Sequence, residues 1–115
     1  MSRQAISLLP LTIVATATLV ADRFITFAGA VPAADANTLG VVRQAAVSGD
    51  KVTVDVVGTA IVEVGAAVTA GQTLKTDASG RAITWVTSGA KIGLALQSAT
   101  AAGQFIEVLL IPNVA

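Results

Sequence analysis

Few residues of this chain could support catalysis. The 115 residues include no His and no Cys, so the commonest general base and the thiolate metal ligands are both absent. Ser48 with Lys51, and Ser88 with Lys91, have the spacing of a Ser–Lys pair. Each pair spans a glycine-centred turn, however, and Ser and Gly are the residues that turns require. We interpret both pairs as turns and predict no catalytic residue.

The acidic residues do not form a metal or phosphate site either. Asp50 and Asp55 are five positions apart in an extended segment, which places their side chains on opposite faces. Asp77 lies far from both in the sequence, and no dense run of alternating acidic residues typical of a calcium loop occurs. The glycine-rich phosphate-binding patterns are absent as well. The sequence therefore predicts no cofactor and no metal.

The segment from Val62 to Leu74 resembles the turn-rich segment of biotinyl and lipoyl carrier domains. In those domains a lysine on an exposed hairpin accepts the cofactor, and Met or Asp flanks it. Lys51, Lys75 and Lys91 all lack that context. A carrier or binding module of the barrel-sandwich type is therefore the alternative function, and the resemblance is interpreted as a shared hairpin geometry.

The composition excludes other classes. Apolar residues make up 54% of the chain but aromatic residues only 3%, which favours a thin core over a deep ligand pocket. Seven basic residues balance seven acidic ones, and all are scattered singly, so the sequence predicts no nucleic-acid binding. Charged residues are only 12% of the chain, which suggests that a partner covers part of the surface.

The N-terminal region allows three interpretations. Ala5 to Ala21 carries no charge and follows Arg3, as in a cleaved signal peptide of a secreted β protein. Pro10 and several hydroxyl residues dilute this apolar stretch, so it is too short and too polar for a membrane span, and we predict no membrane partner. The density of Thr, Val and Ile favours an extended arm or first strand.

The remainder of the chain shows the two-residue period of short strands. Glycine-centred turns separate them at fairly regular intervals, which is typical of a sandwich or barrel. We predict an all-β fold, a compact β-sandwich or barrel of short strands with an extended N-terminal arm. Residues 1–20 form the arm or first strand, and residues 21–115 form the β-domain. The predicted strands are residues 11–21, 23–28, 40–46, 52–56, 60–64, 72–76, 81–87, 91–96 and 105–111.

Particular positions within this scheme carry further predictions. Gly58 is expected to end one strand, and Asp77 with Gly80 is expected to close a tight turn. The last predicted strand, residues 105–111, is the most apolar and should be central. Phe24 and Trp85 are candidate interface residues, because aromatic side chains are enriched at such sites.

The order and spacing of several segments resemble those of small head proteins of tailed phages, the capsid cement or decoration proteins. The resemblance covers residues 15 to 111. Its main pieces are Asp22–Ala30, Gly40–Val42, Ser48–Val54, Gly58–Gly65, Thr76–Ala82, Ile92–Leu96 and Ala101–Val108.

This resemblance implies a structural virion protein. Such a protein binds the outer surface of an assembled capsid, contacts the major capsid protein, stabilises contacts between capsomers and often forms a homo-trimer. It would reside on the virion surface, and in the host cytoplasm during assembly. An arm of this kind can also add a strand to a sheet edge of a partner. The expected capsid contacts in the arm are Arg3, Ile6, Leu8, Leu9 and Leu11.

Overall fold

The computed structural model describes residues 5–111, which fold into eight antiparallel strands with no helix in that range. The all-β prediction is therefore confirmed. The strands are β1 (Ser7–Val14), β2 (Arg23–Ile25), β3 (Gly40–Val42), β4 (Lys51–Glu63), β5 (Thr73–Thr76), β6 (Ala82–Thr84), β7 (Gly93–Ala95) and β8 (Phe105–Leu110).

Strand β4 is the longest, at 13 residues, and belongs to two sheets. Its first half pairs with β1 on one side and β3 on the other, and β3 pairs with β2. Its second half pairs with β8, and the sheet continues through β7 and β5 to β6. Val64, directly after β4, forms a parallel bridge with Ala82 of β6. This bridge nearly closes the sheet into a barrel. The central position expected for β8 is confirmed.

Each half of β4 supplies a separate hydrophobic core. Val52 and Val54 pack with Leu19, Ile25 and their neighbours in the smaller cluster. Farther along the strand, small and branched side chains pack inside the barrel, in the larger cluster. The residues that β4 and the position after it give to the larger cluster are Ala60, Val62 and Val64. Val52, Val54, Ala60, Val62 and Val64 are all even-numbered. One face of a single strand therefore enters both cores.

Gly58 marks the point where β4 passes from one core to the other. The sequence predicted that this glycine would end a strand, but β4 continues through it. Its φ is +112°, and the pairing register between β1 and β4 shifts next to it, as at a β-bulge. A Cβ at this position would overlap the carbonyl oxygen of Ile6. The glycine therefore permits both the bend and the close approach of β1.

The boundaries predicted for the first strand were wrong. A strand was expected from Leu11 to Ala21, but β1 begins at Ser7 and ends at Val14. It ends there because the Thr16 N–H turns away and donates to the carbonyl of Gly29 at 3.0 Å. Residues 7–10, which precede the predicted strand, thus belong to β1, and β1 pairs with β4.

The turn predicted around Asp77 is confirmed. The Asp77 carboxylate accepts the N–H groups of Ser79 at 2.8 Å and Arg81 at 2.9 Å. Gly80 has a φ of +81°, and its own N–H donates to the carbonyl of Asp77. This turn joins β5 to β6, and the Gly80 carbonyl accepts the N–H of Phe24 in β2 at 2.7 Å. The turn therefore links the two sheets.

The Gly58→Ala variant tests the coupling of β1 to the bend. We expect backbone strain of about 1–3 kcal/mol from the positive φ, plus the cost of displacing β1. Gly103→Ala is the matched control, because Gly103 has a φ of +90° and open space around its Cβ position. Urea unfolding should show Gly58→Ala to be the less stable variant, with faster amide exchange in β1. Equal stability of the two would contradict the proposed close contact.

Candidate interaction surface

The polar residues that resembled catalytic pairs have structural roles. The Ser88 hydroxyl donates to the Asp35 carboxylate at 3.2 Å, and the Lys75 ammonium bonds Asp35 at 2.7 Å and the Ser88 carbonyl at 3.3 Å. Lys75, through its hydrogen bond, holds the pKa of Asp35 below its ordinary value. Lys91 lies 4.5 Å above the ring of Trp85 and forms no pair with Ser88. These contacts join loops.

Several charged residues that lie far apart in the sequence form ion pairs in the structure. Arg23 bonds both carboxylate oxygens of Glu63, at 3.2 and 3.3 Å, and thereby ties β2 to β4. Arg81 bonds Asp77 at 3.2 Å and lies 3.8 Å from Glu63. Burial, and then the nearby Glu63 charge, raise the pKa of Asp22 above its usual range. These groups lie where the two sheets meet.

Arg43 and Asp55 form the ion pair with the most deeply buried carboxylate among these pairs. The Asp55 side chain is only 4% exposed, while Arg43 is 46% exposed. The Arg43 Nε lies 2.9 and 3.0 Å from the two carboxylate oxygens, and its Nη2 lies 2.6 Å from Oδ1. The hydrogen bond to Asp55 raises the pKa of Arg43 above its ordinary value. Asp55 lies in β4, which pairs with β1 on one side and with β3 on the other, so this ion pair lies on one face of that sheet.

Among the strands, β1 has the longest run of exposed residues. Five consecutive residues, from Leu8 to Thr12, are exposed, although neighbouring side chains of a strand point to opposite faces. The strand is therefore covered on neither face over this stretch, and its ladder to β4 holds it in place. We call the exposed apolar side chains along it the β1 surface. These are Ile6, Leu8, Leu9, Leu11 and Val14, with exposed fractions from 40 to 71%.

The backbone edge of β1 is poorly suited to a further strand. The Ala15 N–H donates to Asp50, next to the start of β4. Backbone N–H and C=O groups alternate in direction along a strand. The backbone groups of Leu11 therefore also face β4, whereas those of Pro10 and Thr12 face away from it. Pro10 has no N–H, so it blunts this outer edge, as proline does on many edge strands. The β1 surface therefore offers side chains more than backbone groups to a partner.

A loop after β2 extends the β1 surface. From the sequence, its Phe27 was a candidate for a buried contact within or between chains, in a segment predicted to be a strand. Phe27 lies at its tip and is 83% exposed. The loop is bonded to the end of β1 through Thr16, whose hydroxyl donates to the Ala28 carbonyl at 3.0 Å. The two-residue period places Phe24 and Phe27 on opposite faces of the strand predicted over residues 23–28, but it does not show which face is covered. β2 in fact ends at Ile25, before Phe27.

The predicted site residues have different outcomes. Ile6, Leu8, Leu9 and Leu11 lie together on the β1 surface, so they are accessible to a partner. Their contact with a capsid stays a prediction. Arg3 lies outside residues 5–111. The remaining two candidates are the aromatic residues.

The interface prediction for Phe24 is corrected, because its side chain is 1% exposed and packs in the barrel core with Val41. Its position on β2 turns the ring inward, where a partner cannot reach it. Trp85 is half-buried, and its indole N–H donates to the Gly89 carbonyl at 2.9 Å. One ring face also lies against Lys91. Its role at an interface stays a prediction.

Other kinds of site are absent from residues 5–111. Over this range the structure contains no helix long and apolar enough to cross a membrane. The same residues form no cluster of three or more acidic, His or Cys side chains that could hold a metal ion. No cavity was found among them. The β1 surface and the Phe27 loop are therefore the candidate site.

Comparison with known proteins identifies the family. A sequence model of the phage cement proteins matches residues 3–110, which is nearly the whole chain. The chain belongs to the phage cement protein family. It is thus a structural phage protein associated with the capsid. No curated protein sequence matches the chain.

A solved structure supports the fold of this family member. The chain is similar to the N base of the head fiber protein gp8.5 of bacteriophage phi29, with a TM-score of 0.74. The identity is 18%, and the match covers 93% of this chain and 97% of the phi29 chain. At this level of identity the likeness concerns the fold.

The Arg43→Ala variant tests the ion pair beneath β1. It should lower the free energy of unfolding by about 1–3 kcal/mol, because the Asp55 carboxylate would be left buried without its partner. The double variant Arg43→Ala, Asp55→Asn should recover part of this loss, since the neutral amide is cheaper to bury. Chemical denaturation of the three proteins measures both effects. If Arg43→Ala is as stable as the natural chain, the ion pair with Asp55 contributes nothing to the free energy of unfolding.

Proposed function

We propose that the chain binds the outer surface of an assembled phage shell through the β1 surface, contacts the major capsid protein there and stabilises contacts between capsomers. The observation that carries this proposal is the exposure of large apolar side chains along an ordered, paired strand. Exposed large apolar side chains grouped along one strand commonly mark a contact site. Membership of the cement protein family supports the shell as the partner.

The energetics fit a contact made by side chains. Fully burying one leucine side chain contributes about 1.5–3 kcal/mol, and the side chains of the β1 surface are already partly covered. Each would therefore contribute less than this range, and a single copy would bind with modest affinity. Many copies on one shell would gain from avidity if they associate with each other. Since residues 5 to 21 carry no charge, the binding should depend only weakly on salt.

The division of roles along the chain follows from this surface. We assign the contact to the arm, residues 1–20, which includes β1, and the rigid support to the β-domain, residues 21–115. The ion pairs of the β-domain join strands and loops, so its polar residues serve structure, and we propose that the chain is not an enzyme. The chain would reside in the host cytoplasm during assembly and then on the virion surface. The similar phi29 chain is the base of a head fiber, which supports a position on the head.

We also propose a homo-trimer, as the family resemblance implies. Trp85 is the candidate residue at the contact between copies, because its side chain is only half-buried within the chain. A half-buried indole with its N–H already bonded can bury further apolar area at little cost. A trimer would present three β1 surfaces to the shell together.

The double variant Leu8→Thr, Leu9→Thr tests the β1 surface. Threonine keeps the preference for a strand but removes much of the apolar area. We expect binding to shells of the major capsid protein to weaken by about tenfold or more, since 1.4 kcal/mol corresponds to a factor of ten. Co-sedimentation with purified shells that lack this protein measures the affinity.

Leu109→Thr is the matched control for this experiment. Leu109 is 40% exposed but lies in β8, outside the β1 surface. It should bind as the natural chain does, and all three proteins should have the same melting temperature. Unchanged binding of the double variant would refute the β1 surface as the contact.

The trimer predicts a mass in solution. Three chains of 11.4 kDa give about 34 kDa, and sedimentation equilibrium should find this value at micromolar concentration. Trp85→Ala should shift the mass toward 11.4 kDa, because truncating a buried aromatic anchor typically costs 2 kcal/mol or more at a hot spot. A single-chain mass for the natural protein, both free and released from particles, would refute the trimer.

A further inference from the structure

Phe27 is the most exposed of the large apolar side chains, at 83%. The other two phenylalanines are covered more fully, and Phe24, three positions earlier, lies in the barrel core. Leaving a phenyl ring in water forfeits the free energy that its burial would contribute. A protein can hold such a ring outside its core when the ring serves a contact.

The loop holds Phe27 in a fixed position. The Thr26 carbonyl accepts the N–H of Gly29 at 3.0 Å, which closes a four-residue turn with Phe27 as its second residue. Backbone and side-chain bonds between Thr26 and Ala30 close the base of the loop, at 3.0 to 3.3 Å. The backbone around Phe27 is therefore ordered before any partner binds. Contact would cost mainly the rotamer freedom of one side chain with two rotatable bonds.

The loop is also fixed against β1. The Gly29 carbonyl accepts the N–H of Thr16, and the Ala28 carbonyl accepts the Thr16 hydroxyl, both at 3.0 Å. A Cβ on Gly29 would overlap the carbonyl oxygen of Val14, the last residue of β1. The Phe27 loop and the C-terminal end of the β1 surface are thus in direct contact, and one partner can cover both.

The chemistry of this region defines the partner. Residues 26–31, like residues 5–21, include no charged side chain. The nearest charged residue before the loop in the sequence, Arg23, is engaged by Glu63 at 3.2 Å. Lys51, which pairs with Val14, and the neighbouring Asp50 are exposed at this end of β1. A complementary surface is therefore mainly apolar with polar groups at its edge, and to receive a protruding ring it must be concave.

We propose that Phe27 is an aromatic anchor that inserts into an apolar pocket of the shell protein, beside the strip that receives β1. This inference rests on the proposed binding of the β1 surface to the shell. It adds a residue that specifies where the chain docks, because a single ring in a pocket fixes position more strictly than a flat apolar strip does. Ring and strip together bind along one continuous surface.

Phe27→Ala tests the anchor in the co-sedimentation experiment with shells of the major capsid protein. We expect at least about tenfold weaker binding, as for central aromatic residues of other interfaces. Phe27→Leu, which keeps most of the apolar volume, should lie between this variant and the natural chain. The melting temperature should stay unchanged for both, because the ring makes few contacts within the chain. Phe105→Ala is the matched control, because Phe105 is 39% exposed in β8, outside the β1 surface and the loop, and it should bind normally.

The outcomes separate the anchor from the β1 surface. Normal shell binding by Phe27→Ala, with weak binding by the Leu8→Thr, Leu9→Thr variant, would refute the anchor alone. Normal binding by both variants would refute the anchor and the proposed function together. If Phe27→Ala changes the sedimentation mass in the absence of shells, the pocket belongs to a second copy of the chain, and the proposal is overturned.

Discussion

The structure depends on one strand that serves two sheets. β4 pairs with β1 and β3 in its first half and with β8 in its second, and its even-numbered side chains enter first one core and then the other. A regular strand can do this only if it bends. The positive φ of Gly58 provides the bend, and the missing side chain leaves room for the backbone of Ile6. The barrel and the outward strand β1 are therefore positioned by the same element.

The distribution of charge follows from this architecture. Where the two sheets meet, Arg23, Glu63, Arg81 and Asp77 are linked, and Arg43 covers the buried carboxylate of Asp55. With these groups engaged in joining strands, the N-terminal strand is left neutral and apolar. A surface that lacks charge binds through area and shape, so the position of each exposed side chain matters more than the field of the whole protein. This suits a structural protein that is associated with a phage capsid.

Much of the fold could be predicted from local patterns. The two-residue period located most of the strands from β2 onward, and the side chains of Asp77 and Gly80 identified their turn, because both signals depend on residues a few positions apart. The first strand was misplaced for a related reason. Thr, Val and Ile continue to residue 20, but strand pairing stops where Thr16 bonds Gly29, a contact that composition does not show.

The candidate site, like the fold, could be predicted only in part from the sequence. From the sequence alone came the all-β fold, the absence of His and Cys, and an uncharged N-terminal segment with Ile6, Leu8, Leu9 and Leu11, because residue types and their spacing determine these. Only the tertiary structure decided that β1 docks on β4 and that Phe24 turns inward while Phe27 stays in solvent. The two phenylalanines occur in the same apolar run, and their fates depend on which distant strands cover each side chain. Burial is a property of long-range contacts, and no local pattern contains it.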